Sequence, residues 1–121
     1  AMADVRRVHL ICAGTDLAIT AEDVLLAGAM VAACETRFGA TLGDDTSILA
    51  RQLWRSWFPQ DGIMPSTDQL GARLRETQGG RNLVRVGFEL DLERCAAIDS
   101  ADVVPTRCST EPSTFALPAK P

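Results

Sequence analysis

Few residues of this chain have the type and spacing that enzymatic chemistry requires. A Ser-His-Asp or Cys-His nucleophilic arrangement would depend on His9, the single histidine among the 121 residues. His9 stands between Val8 and Leu10, where a half-buried structural histidine is the more common finding. Gly79-Gly80 lacks the third glycine of a phosphate-binding loop. We therefore predict no catalytic residues and no cofactor, and we interpret the chain as a protein that is not an enzyme.

The cysteines and the acidic pairs do not indicate a metal site. Zinc sites usually use paired ligands at short spacing, and no CxxC pair is present. Asp44-Asp45 is not followed by acids at alternate positions, so a helix cap explains the pair better than a calcium loop. We predict no metal ion. All four cysteines are expected to be free thiols, because a Cys95–Cys108 disulfide would need an oxidising compartment.

Hydropathy predicts a cytoplasmic protein without a membrane partner. The most apolar window, 24–34, is about 11 residues long, shorter than the roughly 18 residues that a membrane helix needs. It has no basic flank, so it is not a signal peptide. The composition is 46% hydrophobic and 23% charged, which is typical of a folded globular domain.

Positive charge is concentrated in the middle of the chain. Residues 51–85 hold six arginines against three acidic residues, although the whole chain has a net charge of −4. Every basic residue except Lys120 is an arginine, and the planar guanidinium group suits phosphates and base edges. A solvated helix face would also explain arginines on an amphipathic helix. The distribution favours a nucleic-acid interface, with the solvated face as the alternative.

Three helices are predicted from caps and apolar spacing. They cover about 16 residues between Thr20 and Gly39, then 46–58 and 66–78. The first is apolar nearly all round, so we expect it to be the most buried helix. Ser66, before the third, has the capping-box spacing to Gln69.

Alternation of apolar and polar residues predicts two strands. Residues 81–92 show the clearest period-two pattern, and 5–12 are β-branched and half alternating. We predict one domain over 1–104, followed by a Pro/Ser/Thr-rich irregular tail over 105–121. The predicted fold class is α+β and winged-helix-like, with about three helices packed on a small antiparallel sheet.

The order helix, helix, glycine stop, strand is the order of elements in a winged helix, whose second helix enters the major groove of DNA. Helix 66–78 would then read duplex DNA, and strand 81–92 would be the wing. Gln69 can pair with adenine and Arg73 with guanine. The residues predicted to bind DNA are Ser66, Thr67, Gln69, Arg73, Arg81 and Arg85.

The same region resembles a known family. Segments 47–57, 64–66, 70–74 and 87–90 contain a helix with Trp54 and Trp57, a Met-Pro-Ser segment, a Leu-x-x-x-Leu helix and a Gly-Phe-Glu-Leu segment. This pattern is similar to the C-terminal winged-helix module of phage and plasmid primase-helicases. The resemblance implies DNA binding at a replication origin or fork. The chain departs from that family in having no tyrosine.

Three functional interpretations therefore follow from the sequence. The leading one is a double-stranded DNA-binding module of a phage, plasmid or mobile-element replication protein. The second is a protein–protein interaction domain, such as a phage-type inhibitor or assembly adaptor, that uses an acidic surface and binds a protein partner. An enzyme of unspecified type ranks last.

Overall fold

The computed structural model describes residues 7–60 and 62–117. This part of the chain contains five helices and one two-stranded antiparallel sheet, so the fold is α+β as predicted. A winged helix is not confirmed. The helices are α1 (Ala21–Phe38), α2 (Asp45–Trp57), α3 (Thr67–Glu76), α4 (Gln78–Arg85) and α5 (Asp91–Ala96); the strands are β1 (Thr106–Thr110) and β2 (Ser113–Ala116).

Helices α1 and α2 form the largest helix–helix contact of the described chain. α1 ends at Gly39, whose φ of 62° is in the left-handed region and whose amide donates to Glu35 at 3.0 Å. α2 begins after Asp44, whose carboxylate accepts a hydrogen bond from the Ser47 amide at 2.7 Å. Arg51 of α2 pairs with Glu35 of α1 at 2.6 Å. The first two predicted helices are thus confirmed, close to their predicted bounds.

Helices α3, α4 and α5 form a second group, in which α3 contacts both of the others. A small core joins the two groups, because Leu25, Trp54, Leu70 and Ala96 are buried together. The rings of Trp54 and Phe58 lie 4.8 Å apart and extend this core.

The predicted strand 81–92 is wrong, because its first half lies in α4 and its second half enters α5. Thr77 caps α4 by accepting a hydrogen bond from the Gly80 amide. The two glycines therefore begin a helix instead of ending one. Gly80 packs so closely on the backbone of Leu74 that a Cβ atom would overlap it. A side-chain cap and a close backbone approach override the alternating pattern here.

The other predicted sheet elements also differ from the structure. Residues 7–12 of the predicted strand 5–12 have no assigned strand structure, and residues 5–6 lie outside the described part. The predicted irregular tail instead forms the β1–β2 hairpin, with Thr106 opposite Ala116, and residues 118–121 lie outside the described part. The hairpin is exposed except at Ser109, so it is not a sheet on which three helices pack. The division into a domain and a tail stays a prediction.

Helix α1 is less buried than expected. Leu25, Gly28 and Val31 are buried, but Leu26 and Met30 are exposed to 64% and 45%. Among the described residues, none of the helices is long and apolar enough to cross a membrane. The four cysteines are free, as predicted.

Candidate functional site

The segment that leads into α1, residues 12–20, is held by the first turn of that helix, and we call it the α1 loop. The Gly14 amide donates to Asp23 Oδ2 at 2.7 Å, and the Cys12 thiol donates to the Asp23 carbonyl oxygen at 3.6 Å. Gly14 has φ +69°, and a Cβ atom there would lie 2.6 Å from the carbonyl oxygen of Ala18. Glycine is therefore required at this position.

The tip of the α1 loop is a tight turn with an unusual backbone. Thr15 and Ala18 exchange two backbone hydrogen bonds of 3.1 and 2.9 Å. Between them, Asp16 and Leu17 have φ values of 52° and 63°. Residues with a Cβ atom occupy this left-handed region at a cost of about 1–2 kcal/mol each. Such conformations cluster at functional sites, and here one holds an exposed carboxylate at the end of the turn.

Glu22 connects the first turn of α1 to the first turn of α4. Its Oε1 accepts a hydrogen bond from the Gly79 amide at 3.0 Å, and a Cβ atom at position 79 would overlap this carboxylate. Thr77 completes the start of α4, since its Oγ1 accepts from Gly80 at 3.2 Å and donates to Leu74 at 2.7 Å. The loop, Glu22, Asp23, Thr77 and Gly79 thus meet where two helices begin, and we call this region the junction.

The junction combines the N–H groups of a helix start with the carboxyl groups of Glu22 and Asp23. The first N–H groups and the dipole of a helix attract negative charge. Thr20, the N-cap of α1, makes no side-chain hydrogen bond to the first turn, so it does not occupy these amides. Oε2 of Glu22 is buried without a hydrogen-bond partner in the described chain. Carboxyl groups act as proton donors or acceptors in catalysis.

Two grooves elsewhere offer less chemistry. One lies at the end of α2 and is lined mainly by apolar residues, including Trp57, Phe58 and Met64. The other lies between α3 and α5, and the ion pair of Arg75 with Glu89 lies in its wall. Within residues 7–60 and 62–117, no group of three or more His, Cys, Asp or Glu side chains is arranged to hold a metal ion.

Three of the residues predicted to bind DNA lie at the start of α3. Ser66 Oγ accepts from the Gln69 amide at 3.2 Å, and Gln69 Oε1 accepts from the Ser66 amide at 3.0 Å. This reciprocal pair confirms the predicted capping box. Thr67 is the first residue of the helix. The Ser66 and Gln69 side chains therefore bind the backbone at the start of α3.

The three arginines of the predicted DNA surface contact nearby protein groups. Arg73 lies 5.5 Å from the ring centroid of Trp57 and 3.5 Å from a carboxylate oxygen of Glu76. Arg81 donates to the Glu76 carbonyl oxygen. Arg85 donates to Oδ1 of Asn82 at 3.2 Å. These contacts satisfy part of the hydrogen-bonding capacity that a phosphate backbone would use.

The junction was not predicted from the sequence. The structure places a tight turn between Thr15 and Ala18 and puts Glu22 and Asp23 in the first turn of α1. The missed signal was their combination. A glycine-containing loop between a predicted strand and a helix, followed by two acids, is a common position for a ligand site. The contact between Glu22 and Gly79 spans 57 residues and has no signal in the sequence.

Comparison with known proteins gives a consistent family match. The sequence model of 2-phosphosulpholactate phosphatase matches residues 1–110. A probable 2-phosphosulfolactate phosphatase of Synechococcus sp. (strain RCC307) is 34% identical over 116 residues, covering 92% of this chain and 43% of that protein. Proteins of the same description from Parasynechococcus marenigrum (strain WH8102) and Microcystis aeruginosa (strain NIES-843) are each 32% identical, covering 84% and 88% of this chain.

The chain spans about two fifths of the length of these relatives, since the covered shares are 43%, 39% and 40%. No solved structure matches the chain significantly.

Proposed function

Because this chain belongs to the 2-phosphosulpholactate phosphatase family, we propose that it forms part of an enzyme that hydrolyses the phosphate ester of a small sulfonated hydroxy acid. The observation that carries the proposal is the family match over residues 1–110, which contains the whole junction. The relatives' shared description supplies the substrate class.

The family assignment corrects several predictions. A DNA-binding replication module, a protein-interaction domain and the absence of enzymatic activity were predicted, and the phosphatase relatives overturn all three. The resemblance to primase-helicase winged helices is also wrong, because the matching family is a different one. A small-molecule substrate replaces double-stranded DNA as the main partner. The absence of a histidine–nucleophile pair does not exclude a phosphatase, because phosphate-ester hydrolysis does not require one.

The named substrate is strongly anionic, which sets what its site must provide. 2-Phosphosulfolactate has a phosphate ester, a carboxylate and a sulfonate, with the phosphate alone contributing about −1.5 to −2 charges at neutral pH. The site therefore needs directed N–H donors. We assign the phosphate group to the first-turn amides of α1, beside the α1 loop.

Hydrolysis needs an attacking water and a protonated leaving group. The water oxygen attacks phosphorus, the bond from phosphorus to the ester oxygen breaks, and inorganic phosphate and an alcohol leave. A proton must move from the water and another to the ester oxygen. We propose Asp16, exposed at the tip of the α1 loop, as the carboxyl group that transfers a proton.

Asp23 and Glu22 have positioning roles in this proposal. Asp23 holds the α1 loop through the Gly14 amide at 2.7 Å. Glu22 holds the start of α4 against α1 through the Gly79 amide at 3.0 Å. Loss of the Asp23 contact would displace the loop that presents Asp16, and misplacement of a reacting group by about 1 Å can reduce a rate about 100-fold.

The test uses a full-length hybrid, in which this chain replaces the matching part of the Synechococcus relative. We expect the hybrid to release phosphate from 2-phosphosulfolactate. We expect Asp16→Asn to lower kcat by about 10²- to 10⁴-fold. The matched control is Asp99→Asn, because Asp99 is also exposed and has a similar φ of 54°.

Three results decide the outcome. A selective loss in Asp16→Asn supports the assignment of the proton transfer. Equal rates in the two variants show that Asp16 does not transfer the proton. A folded hybrid without phosphate release, measured beside an active Synechococcus protein, would contradict the proposed function of this chain.

A further inference from the structure

Helix α1 has one apolar face in the core and another in solvent. Gly28 packs against Ala50 and Trp54 of α2. Leu26 and Met30 are each about 160° around the helix from Gly28, at 100° per residue, and are exposed to 64% and 45%. A helix that is apolar all round is normally buried all round. Within residues 7–60 and 62–117, the face with Leu26 and Met30 therefore lacks a covering layer.

The segment before α1 also lacks a backbone partner in the described part of the chain. Residues 7–12 contain Val8 and Ile11, and Ile11 is 94% exposed. In the described part of the chain, residues 7–13 make no hydrogen bond between backbone groups. Their sequence is β-branched and half alternating, which is typical of a strand. A β-strand needs a neighbour for its amides and carbonyls.

The segment 7–12 adjoins the exposed face of α1. Cys12 and Gly14 contact Asp23. Asp23 lies three residues before Leu26 and seven before Met30, so these residues share one face of the helix. The segment 7–12 therefore leads into the end of the exposed face of α1. A strand, a loop and a helix in this order form the first part of a βα unit, whose helix covers the sheet that contains the strand.

We propose that residues 7–12 and the face of α1 with Leu26 and Met30 form the docking surface for the remaining part of a full-length family member. That part supplies a β-sheet, residues 7–12 join the sheet as a strand, and α1 covers it. The relatives support this occupant, because this chain spans only 39–43% of their lengths. The inference does not depend on the reaction, since it concerns how the chain packs.

The arrangement also explains the position of the junction. The α1 loop follows the carboxyl end of the proposed strand. Open α/β sheets bind ligands outside the carboxyl ends of their strands. The docked sheet would therefore form one wall of the site that contains Asp16.

The first test compares amide hydrogen exchange of residues 8–12 in the 121-residue chain and in the full-length hybrid. We expect exchange to be at least about 100-fold slower in the hybrid, because strand pairing protects amides. The same measurement on the unmodified Synechococcus protein covers its segment aligned with 8–12 and does not require the hybrid to fold. Rapid exchange of that aligned segment would overturn the proposal.

The second test uses a matched pair of exposed leucines. Leu26 and Leu49 are exposed to 64% and 66%, and they lie on α1 and α2. We expect Leu26→Arg to lower the Tm of the hybrid by about 5 °C and to leave that of the 121-residue chain unchanged, because only the hybrid buries this side chain. Leu49→Arg should leave both Tm values unchanged. Equal shifts for the two variants in the hybrid would contradict the proposed surface.

A second copy of this chain is the alternative occupant of the surface, and a further experiment distinguishes it from the remaining part of a family member. Sedimentation of the 121-residue chain across a range of concentrations measures self-association. If it forms a dimer that Leu26→Arg abolishes and in which residues 8–12 become protected, the surface is a dimer interface and the proposal is wrong. We expect a monomer at every concentration.

Discussion

At the scale of single residues, three carboxylates in the described part of the chain each accept a hydrogen bond from a backbone amide. Asp44 binds the amide of Ser47 within its own helix start. Asp23 binds the amide of Gly14 and Glu22 binds that of Gly79, and these partners are farther apart in the sequence. The sequence predicts the first type, because a cap acts within three residues. The other two hold the α1 loop and the start of α4 in place at the proposed site.

Asp44 gives a pH-dependent prediction. Hydrogen bonds from Thr46 and Ser47 hold the pKa of this carboxyl below its ordinary value of 3.8. A depressed folded-state pKa contributes stability above the unfolded-state pKa and loses it as pH falls through the folded-state value. We expect the urea midpoint of the wild type to fall relative to that of Asp44→Asn as pH decreases from about 6 to 3, since asparagine caps without titrating.

The matched control is Asp45→Asn, which removes a charge from the same turn while leaving the Asp44 hydrogen bonds in place. Its midpoint should continue to follow that of the wild type through the acid range. A constant difference between wild type and Asp44→Asn at all pH values would show that the cap carboxylate does not contribute to acid stability.

At the scale of elements, the packing of α1 on α2 depends on Gly28. A Cβ atom there would lie 3.0 Å from Trp54 Cβ and would overlap the carbonyl oxygen of Ala50. Glycine weakens a helix by about 1 kcal/mol relative to alanine. The close approach gives that cost a structural reason, because a larger residue would separate the helices.

Gly28→Ala is therefore expected to destabilise the protein by about 1–2 kcal/mol, since overpacking of about 1–3 kcal/mol exceeds the gain in helix propensity. Urea denaturation measures the change. The control is Gly43→Ala, because an added Cβ at position 43 meets nothing within 4 Å. A stabilised Gly28→Ala variant would mean that the two helices separate without cost.

At the scale of the whole molecule, the core is small for the apolar surface that surrounds it. The described core centres on Leu25, Trp54, Leu70 and Ala96, while Leu26, Ile11 and other large apolar residues stay in solvent. Domain stabilities of about 5–15 kcal/mol leave little margin for loss of a core side chain. In the proposed docking, the exposed residues on this surface become buried when the rest of a family member is present.

The neighbours Leu25 and Leu26 test this contrast between buried and exposed apolar residues, because their exposures are 2% and 64%. In the 121-residue chain, we expect Leu25→Ala to cost about 2–5 kcal/mol and Leu26→Ala less than about 0.5 kcal/mol. Chemical denaturation of both variants provides the measurement. Similar losses would show that Leu26 is buried in the folded chain.

The sequence alone determined the features that depend on neighbouring residues. The starts and ends of α1 and α2, the start of α3 and the Ser66–Gln69 capping box were predictable, because caps and apolar spacing act within a few residues. The arginines of 51–85 suggested DNA binding, whereas the chain matches a phosphatase family, so local patterns did not determine function.

Tertiary structure decided what depends on contacts between distant residues. The alternating segment 81–92 became a helix, a turn and the start of another helix, because Thr77 caps α4 and Gly80 packs on Leu74. The junction exists because Glu22 reaches Gly79 across 57 residues. Such contacts form when packing outweighs local propensity, so a pattern of neighbouring residues does not reveal them.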